Sequence, residues 1–196
     1  MARHYLNLMS TPPVQAAQQR FNGRAAPVPP PGLDPLGEDE ITFIGERDSF
    51  YMSTVSPTGW PYVQHRGGEP GFLRVLGPKQ LAFADYKGNR QLTSTGHVAA
   101  DGRVALFLMD YPQRVRLKIL GHATVLDARE HPDRVAELAG PQAGRITERL
   151  FLIDVVSFDW NCPQYITPRY TAVEVEAAVA GLRTRIRELE AKLAAR

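Results

Sequence analysis

The pattern of apolar and polar residues changes twice along the chain and predicts three parts. Residues 1–37 are rich in proline and carry no sustained apolar repeat, whereas residues 38–170 contain short apolar runs separated by turn residues. Residues 171–196 place an apolar residue at every third or fourth position. We therefore expect an N-terminal arm, one β-rich domain and a C-terminal helix, because each pattern is typical of that kind of structure.

The middle part, residues 38–170, predicts a mainly β fold with flanking helices. Aromatic and β-branched runs alternate with turn signals such as Pro57-Thr58-Gly59, which is typical of closely spaced antiparallel strands. Strands are predicted over Phe50–Ser56, Trp60–Arg66, Phe72–Leu76, Gln80–Asp85, Val104–Asp110, Arg114–Ala128 and Leu150–Phe158. The sixth of them is long, and we expect it to bend near Gly121. Helices are predicted over Glu38–Glu46, Asn89–Ala100 and His131–Leu138.

The arm combines a short helix with a proline-rich linker. Thr11 followed by Pro12 is a typical helix start and Asn22-Gly23 is a typical helix end, so a helix is predicted over Val14–Phe21. The linker that follows, Arg24–Pro35, has no apolar periodicity and carries prolines at positions 27 and 29–31. We expect the linker to be extended and to lie outside the core.

The C-terminal part, residues 171–196, has the pattern of a heptad helix. Its apolar positions are Val175, Val179, Leu182, Ile186, Leu189 and Leu193, which are spaced alternately by four and three residues. Such spacing places them along one seam of a helix of about six turns. The seam predicts either a parallel pairing with a second copy of the chain or packing of an amphipathic helix on its own domain.

The overall composition removes several classes of protein. The chain has 196 residues with 23 Lys+Arg against 21 Asp+Glu, and a net charge of +2 is too small for a dedicated nucleic-acid binder. No apolar run reaches the roughly 18 residues of a membrane-spanning helix, and the first residues are too polar for a secretory signal. The single cysteine, Cys162, excludes an internal disulfide and is expected to be buried and inert. A cytoplasmic protein is expected.

Common catalytic motifs do not occur in the sequence. The five histidines follow no zinc-binding spacing, so no metal site is expected. Walker, GxGxxG and GxSxG motifs are absent as well, which removes support for P-loop, Rossmann and classical hydrolase chemistry.

Three polar clusters are candidates for ligand binding. Residues 64–68, Gln-His-Arg-Gly-Gly, form either an exposed edge strand or the wall of a site in which glycines let a flat ligand approach. Residues 85–91 lie at a predicted strand-to-helix junction, which is either an ordinary polar loop or a phosphate site at a helix N-terminus. The third cluster is a set of three cations on one face of a predicted strand, Arg114, Arg116 and Lys118. This face is either exposed to solvent or a second site for an anion.

Several ordered segments together resemble the pyridoxamine 5'-phosphate oxidase-like flavin-binding proteins, and among them the predicted flavin-nucleotide-binding branch. The segments are FIGERDSFYMSTV at 43–55, GWPYVQHRGG at 59–68, LAFADYKGNRQ at 81–91, VALFLMD at 104–110 and DWNCPQ at 159–164. The resemblance covers about residues 38–170. It implies a split β-barrel that forms a homodimer and binds FMN at the dimer interface.

The resemblance also implies which residues contact the FMN. They are Gln64, His65, Arg66, Gly67, Ala84, Asp85, Tyr86, Asn89, Arg90, Gln91, Arg116 and Lys118. Arg66 and Arg90 suit the phosphate, Gln64 and Gln91 the ribityl chain, and aromatic side chains the ring. No catalytic residue is assigned, because the flavin itself carries the hydride or electron chemistry.

The expected function is that of an FMN-dependent oxidoreductase acting on an unknown small substrate. The heptad helix stands where the vitamin-forming oxidases carry a substrate-binding segment, so the substrate stays undefined. One alternative is a flavin or haem carrier without catalytic activity on the same fold. Another is a dimeric interaction module whose heptad tail recruits a partner.

Overall fold

The computed structural model describes residues 4–143, 146–160 and 163–195, and for residues 140–143 it describes the backbone alone. These residues form two compact units. One contains the described parts of 4–109 and 115–160, and the other contains 110–114 with 163–195. The first unit holds nearly all of the β-structure, and the second holds the C-terminal helix.

A single seven-stranded sheet forms the frame of the first unit. Its strands are β1 (Ser49–Val55), β2 (Pro61–Gly67), β3 (Arg74–Gly77), β4 (Gln80–Tyr86), β5 (Arg103–Asp110), β6 (Val115–Asp127) and β7 (Thr147–Trp160). The strand order is β2-β1-β5-β6-β7-β4-β3. The pairs β1–β2, β1–β5, β3–β4, β4–β7 and β6–β7 are antiparallel. Each predicted strand is therefore present, with ends that differ from the prediction by a few residues.

Six helices accompany the sheet within the described residues. They are α1 (Tyr5–Met9), α2 (Pro12–Asn22), α3 (Glu38–Gly45), α4 (Thr93–Ala100), α5 (Pro132–Ala143) and α6 (Ala172–Ala194). The helix α1 was not predicted. The prediction of a helix from Asn89 was wrong at its start, because Arg90 (φ 62°) and Leu92 (φ 53°) are left-handed and the right-handed helix begins only after them.

The sheet curls so that distant strands share one core. Phe50 of β1 packs against Phe83 of β4 with 5.4 Å between ring centroids, although β5, β6 and β7 lie between these strands in the sheet. Phe83 in turn stacks on Phe151 of β7 at 4.8 Å. Alternate residues of β1, β4 and β7 point to this interior, as the two-residue period of a strand requires. The core thus holds the two ends of the sheet together.

The strand β4 is buried on both of its faces. Leu81 and Phe83 belong to the interior, whereas Ala82 and Ala84 lie on the opposite face, in a second apolar cluster with Leu138 of α5. Small alanine side chains on that face let the helix approach the sheet. The next residue on the interior face is Asp85, which the same alternation carries into a buried position.

The strand β6 is irregular at Gly121, the position near which a bend is predicted. The pairing with β7 shifts register between Leu120 and Gly121. A Cβ atom at Gly121 would lie 2.7 Å from the Asp154 carbonyl oxygen and 2.7 Å from Ile153 Cγ2. The close approach of β7 therefore requires a residue without a side chain at this position.

The end of the N-terminal linker is not outside the core, contrary to the prediction. Asp34, near the end of the linker Arg24–Pro35, is buried, and so is Leu36, which follows the linker. The Asp34 amide donates to the Val156 carbonyl at 3.0 Å, and Ser157 Oγ donates to Asp34 Oδ2 at 2.5 Å. The linker lacks an apolar repeat because single anchor residues, rather than a packed face, attach it to β7.

The helix α6 confirms the prediction of a long C-terminal helix. It begins with a reciprocal cap in which the Glu174 amide donates to Thr171 Oγ1 at 3.2 Å and the Thr171 amide donates to Glu174 Oε2 at 2.7 Å. The seam residues Val175, Leu182, Ile186, Leu189 and Leu193 are all exposed. None of the helices in the described part of the chain has the length and apolar character needed to cross a membrane.

The exposed seam yields a test of the predicted dimer. Replacement of Leu182 and Leu189 by Glu puts two charges on the seam and should weaken self-association measured by analytical ultracentrifugation, as should truncation after Ala172. The matched control places the same charges on the opposite face, at Thr184 and Ala191, and should leave association unchanged. An equally tight dimer in the seam variant and the truncated chain would show that α6 does not pair.

Candidate functional site

A polar cleft opens where β2, the end of β4 and the start of α4 meet. Its volume is about 190 Å³. The residues that line it are Tyr62, Gln64, Arg66, Asp85, Tyr86, Gly88, Asn89, Arg90, Gln91, Leu92, Thr93, Ser94, Thr95 and Arg149. Two of the three candidate clusters from the sequence therefore face the same space.

A buried carboxylate between two arginines forms the floor of the cleft. Asp85 follows Phe83 on the interior face of β4, and its side chain is 9% exposed. Arg66 of β2 donates Nη1 to Asp85 Oδ1, and Arg149 of β7 donates Nε and Nη2 to Oδ2 at 2.9 and 2.8 Å. Arg149 lies directly opposite Asp85 in the strand register. Arg149 Nη1 also donates to Glu148 Oε2 at 3.0 Å, so the two arginines and two carboxylates balance, and the surplus positive charge of the cleft comes from the loop that follows β4.

Aromatic rings hold the guanidinium of Arg66 in place. Its Cζ atom lies 5.6 Å from the Phe83 ring centroid and 5.3 Å from that of Phe151, within the range of a cation–π contact. Burial lowers the pKa of Arg66 from its ordinary value, and the neighbouring Asp85 charge opposes that effect. The buried Nε of Arg66 has no hydrogen-bond acceptor among the described residues. Arg66 is thus a desolvated cation with a spare donor.

Two hydrogen bonds fix the helix α4 beside the first two strands. Ser94 Oγ donates to Gln64 Oε1 of β2 at 2.9 Å. One turn later, His97 Nδ1 lies 3.0 Å from Thr54 Oγ1 of β1. Because residues three apart share one helix face, both contacts hold the N-terminus of α4 at the cleft.

The loop between β4 and α4 has a strained backbone and free donors. A left-handed conformation costs roughly 1–2 kcal/mol for a residue with a side chain, and this loop contains two such residues, Arg90 and Leu92. Leu92 is also the N-cap residue of α4, and it provides no side-chain acceptor for the first amides of the helix. Those unpaired amides, with the helix dipole, favour an anion.

Arg90 is the most accessible cation of the cleft. Its side chain is 68% exposed, and its Nη2 lies 4.0 Å from Glu148 Oε1. A contact of that length leaves most of its donors available to a ligand.

Five of the predicted site residues lie elsewhere in the fold. His65 and Gly67 alternate with Gln64 and Arg66 on β2 and so point to the other, exposed face of the sheet. Ala84 packs in the cluster with α5. Arg116 of β6 lies over the ring of Phe107 on β5, and Lys118 pairs with Asp159 at 2.9 Å. The other seven, Gln64, Arg66, Asp85, Tyr86, Asn89, Arg90 and Gln91, line the cleft.

Sequence reasoning missed Arg149, Tyr62 and the first turn of α4. Arg149 stands just before the apolar run that marks β7, and only the pairing of β7 with β4 places it opposite Asp85. Ser94 and Thr95 looked like the interior of a longer helix. Cys162 lies outside the described residues. Within the described residues, no group of three potential metal ligands comes together.

The sequence matches the family model described as pyridoxamine 5'-phosphate oxidase over residues 36–158, more than half of the chain. A comparison with curated proteins finds no match. Among solved structures, a putative pyridoxamine 5'-phosphate oxidase from Lactobacillus delbrueckii has 18% identity and a TM-score of 0.50, covering 64% of this chain and 94% of that chain.

Two further structures show weaker similarity. An FMN-binding protein from Syntrophomonas wolfei has 11% identity and a TM-score of 0.46, covering 61% of this chain and 81% of that chain. A pyridoxamine 5'-phosphate oxidase-related, FMN-binding protein from Nostoc punctiforme has 16% identity and a TM-score of 0.45, covering 58% of this chain and 73% of that chain. The family match and the Lactobacillus structure, at a TM-score of 0.50, confirm the predicted split β-barrel fold.

The buried carboxylate predicts a specific loss of stability. Asp85→Asn should lower the free energy of unfolding by about 3–5 kcal/mol, because it leaves the largely buried guanidinium of Arg66 without its anion and Arg149 with Glu148 alone. Denaturant unfolding measures the change. The control Asp127→Asn removes a carboxylate that also binds an arginine at the end of a strand, but with its side chain 31% exposed against 9% for Asp85, and it should leave the unfolding midpoint nearly unchanged. Equal, small effects of both substitutions would contradict the importance of the Asp85 cluster.

Proposed function

The chain belongs to the pyridoxamine 5'-phosphate oxidase family, and from this premise we propose that it is a homodimeric flavoprotein whose cleft binds the phosphate end of FMN. The observation that carries the proposal is the group of Arg66, Arg149 and Arg90 in the cleft, whose three positive charges exceed the two negative charges of Asp85 and Glu148. A phosphate dianion would offset that charge.

The donor set supports a flavin phosphate. Arg90 and the amides of the first turn of α4 suit the phosphate oxygens, and the spare Nε of Arg66 offers a further donor at depth. Gln64 suits the hydroxyl groups of the ribityl chain, since Ser94 occupies its oxygen and leaves its amide hydrogens available. When bound, FMN supplies hydride or electron transfer.

The size of the cleft supports a site that two protomers share. A volume of about 190 Å³ is below the range of roughly 300–1,000 Å³ in which most pockets enclose a whole small molecule. The cleft of one protomer would hold the phosphate and part of the ribityl chain, and the flat ring would extend beyond it. A second copy of the chain is the covering that we propose for the ring.

The outer face of the sheet has an apolar surface on which a second copy of the chain would dock and cover the flavin ring. Tyr51 and Val55 of β1 and Val63 of β2 are exposed on this face, and Tyr51 pairs in register with His65 and Phe107. Contiguous apolar surface of this kind is typical of an interaction site. In such a dimer, outward-facing residues such as His65, Arg116 and Lys118 would reach only the flavin in the partner's cleft.

The phosphate role of Arg90 predicts a contrast between two flavins. Arg90→Ala should weaken FMN binding by roughly ten- to a hundredfold, which corresponds to about 1.5–3 kcal/mol for a hydrogen bond to a charged group. Riboflavin lacks the phosphate, so its affinity should barely change. Titration of the apoprotein, followed by flavin fluorescence, measures both affinities.

Lys87→Ala is the matched control, since Lys87 is a neighbouring exposed cation that does not line the cleft. It should leave both affinities unchanged. If Arg90→Ala lowers the affinities for FMN and riboflavin equally, Arg90 supports the fold or contacts the flavin ring rather than the phosphate. If instead Lys87→Ala lowers the affinity for FMN but not for riboflavin, the phosphate binds beside Lys87 and not at Arg90.

The oxidoreductase role predicts that a reduced nicotinamide bleaches the visible absorbance of the FMN-loaded protein. Hydride transfer from the nicotinamide to the bound flavin would cause the change. A chemical reductant such as dithionite is the control, because it reduces any accessible flavin. Bleaching by dithionite alone would favour a flavin carrier over a nicotinamide-dependent enzyme.

A further inference from the structure

A second, larger cavity adjoins the cleft. Its volume is about 620 Å³, against about 190 Å³ for the cleft. Four residues, Arg90, Leu92, Thr95 and Arg149, line both spaces. The shared wall is therefore the cationic end of the cleft, to which the proposed function assigns the phosphate. A ligand that continues past this phosphate would enter the second cavity.

The walls of the second cavity combine cations, acceptors and apolar groups. Besides the shared residues, they contain Val125, Asp127, Arg129, Thr147 and Glu148. This mixture differs from a simple anion site, since it includes two carboxylates and the side chains of Leu92 and Val125. It suits a group with an anionic end, hydroxyl groups and a flat apolar surface.

Arg129 is a fixed cation at this cavity. Its Nε and Nη2 donate to Asp127 at distances from 2.5 to 3.2 Å, and its side chain is 88% exposed. The hydrogen bonds from Arg129 lower the pKa of Asp127 to about 2, so the pair stays ionised at neutral pH. Nη1 of Arg129 has no partner among the described residues and remains free to donate.

Glu148 offers an acceptor on the same wall. Its Oε2 takes a hydrogen bond from Arg149 Nη1 at 3.0 Å, whereas Oε1 lies 4.0 Å from Arg90 Nη2, beyond hydrogen-bond distance. A carboxylate oxygen in this state can accept from a ribose hydroxyl, a pairing that nucleotide sites use.

We propose that the cleft and the second cavity together bind a flavin dinucleotide, FAD. The inference rests on the proposed function, because it starts from the flavin phosphate at Arg90. Arg90 and Arg129 would hold the second phosphate, Glu148 would accept from the ribose hydroxyls, and Leu92 and Val125 would provide apolar surface for the adenine. The adenylyl half thus occupies the space beyond the cleft, and FMN fills only the cleft.

The test compares FMN and FAD by isothermal titration calorimetry on the full-length apoprotein. Wild-type protein should bind FAD at least as tightly as FMN. Arg129→Glu places a third carboxylate at the cavity and should weaken FAD binding tenfold or more, while FMN affinity changes less than twofold. Thermal unfolding of each variant verifies that the fold is intact.

The matched control is Arg103→Glu. Arg103 binds Asp101 through the same two-residue spacing, with Nε at 3.0 Å and Nη2 at 2.5 Å, and neither residue lines the cleft or the second cavity. This substitution makes the same charge change and should leave the affinities for both flavins unchanged.

Three results would overturn the inference. If FMN binds and FAD does not, the second cavity takes no adenylyl group, while the proposed function stands. If neither flavin binds, both the inference and the proposed function are wrong. If Arg129→Glu weakens FMN and FAD equally, or neither of them, the adenylyl half does not lie beside Arg129.

Discussion

The burial of Asp85 is the constraint on which the rest of the site depends. Strand alternation carries this carboxylate into the interior behind Leu81 and Phe83, where an unpaired charge would be costly. Its two arginine partners come from β2 and β7, and β2 lies at the far end of the sheet from β4. The sheet must therefore curl until Arg66 reaches Asp85. The same ion cluster closes the barrel and forms the floor of the cleft.

This arrangement also explains the character of the cleft. Asp85 and Glu148 balance the guanidinium groups of Arg66 and Arg149, so the surplus positive charge is that of Arg90 in the loop before the helix α4, whose first amides have no side-chain cap. The connecting loop reaches the helix through two left-handed residues, Arg90 and Leu92. Strained backbone of this kind persists where the surrounding structure imposes it, and it is often found at ligand sites. Here the strain places Arg90 at the boundary between the cleft and the second cavity.

One protomer has two kinds of surface that bear on the proposed function: cavities that suit a flavin, and exposed apolar faces that suit a second copy of the chain. The small cleft suits the phosphate end of a flavin, and the larger cavity begins at the same arginine. The exposed apolar face of β1 and β2 and the exposed seam of α6 are two separate surfaces suited to a second copy of the chain. Under the proposed function, cofactor binding and self-association would be linked, because the flavin ring would extend beyond what one cleft encloses.

Local patterns in the sequence determined the elements and much of the cleft. Alternating apolar residues and turn signals located all seven strands, the heptad spacing located α6, and the ordered motifs pointed to Gln64, Arg66, Asp85 and Arg90. Only the tertiary structure decided which side each residue faces at a strand end and what lies opposite it. It turned His65 away from the cleft, put Ala84 under α5 and brought Arg149 to Asp85 from 64 positions along the chain. Pairing between distant strands depends on the curl of the whole sheet, and a local pattern carries no record of it.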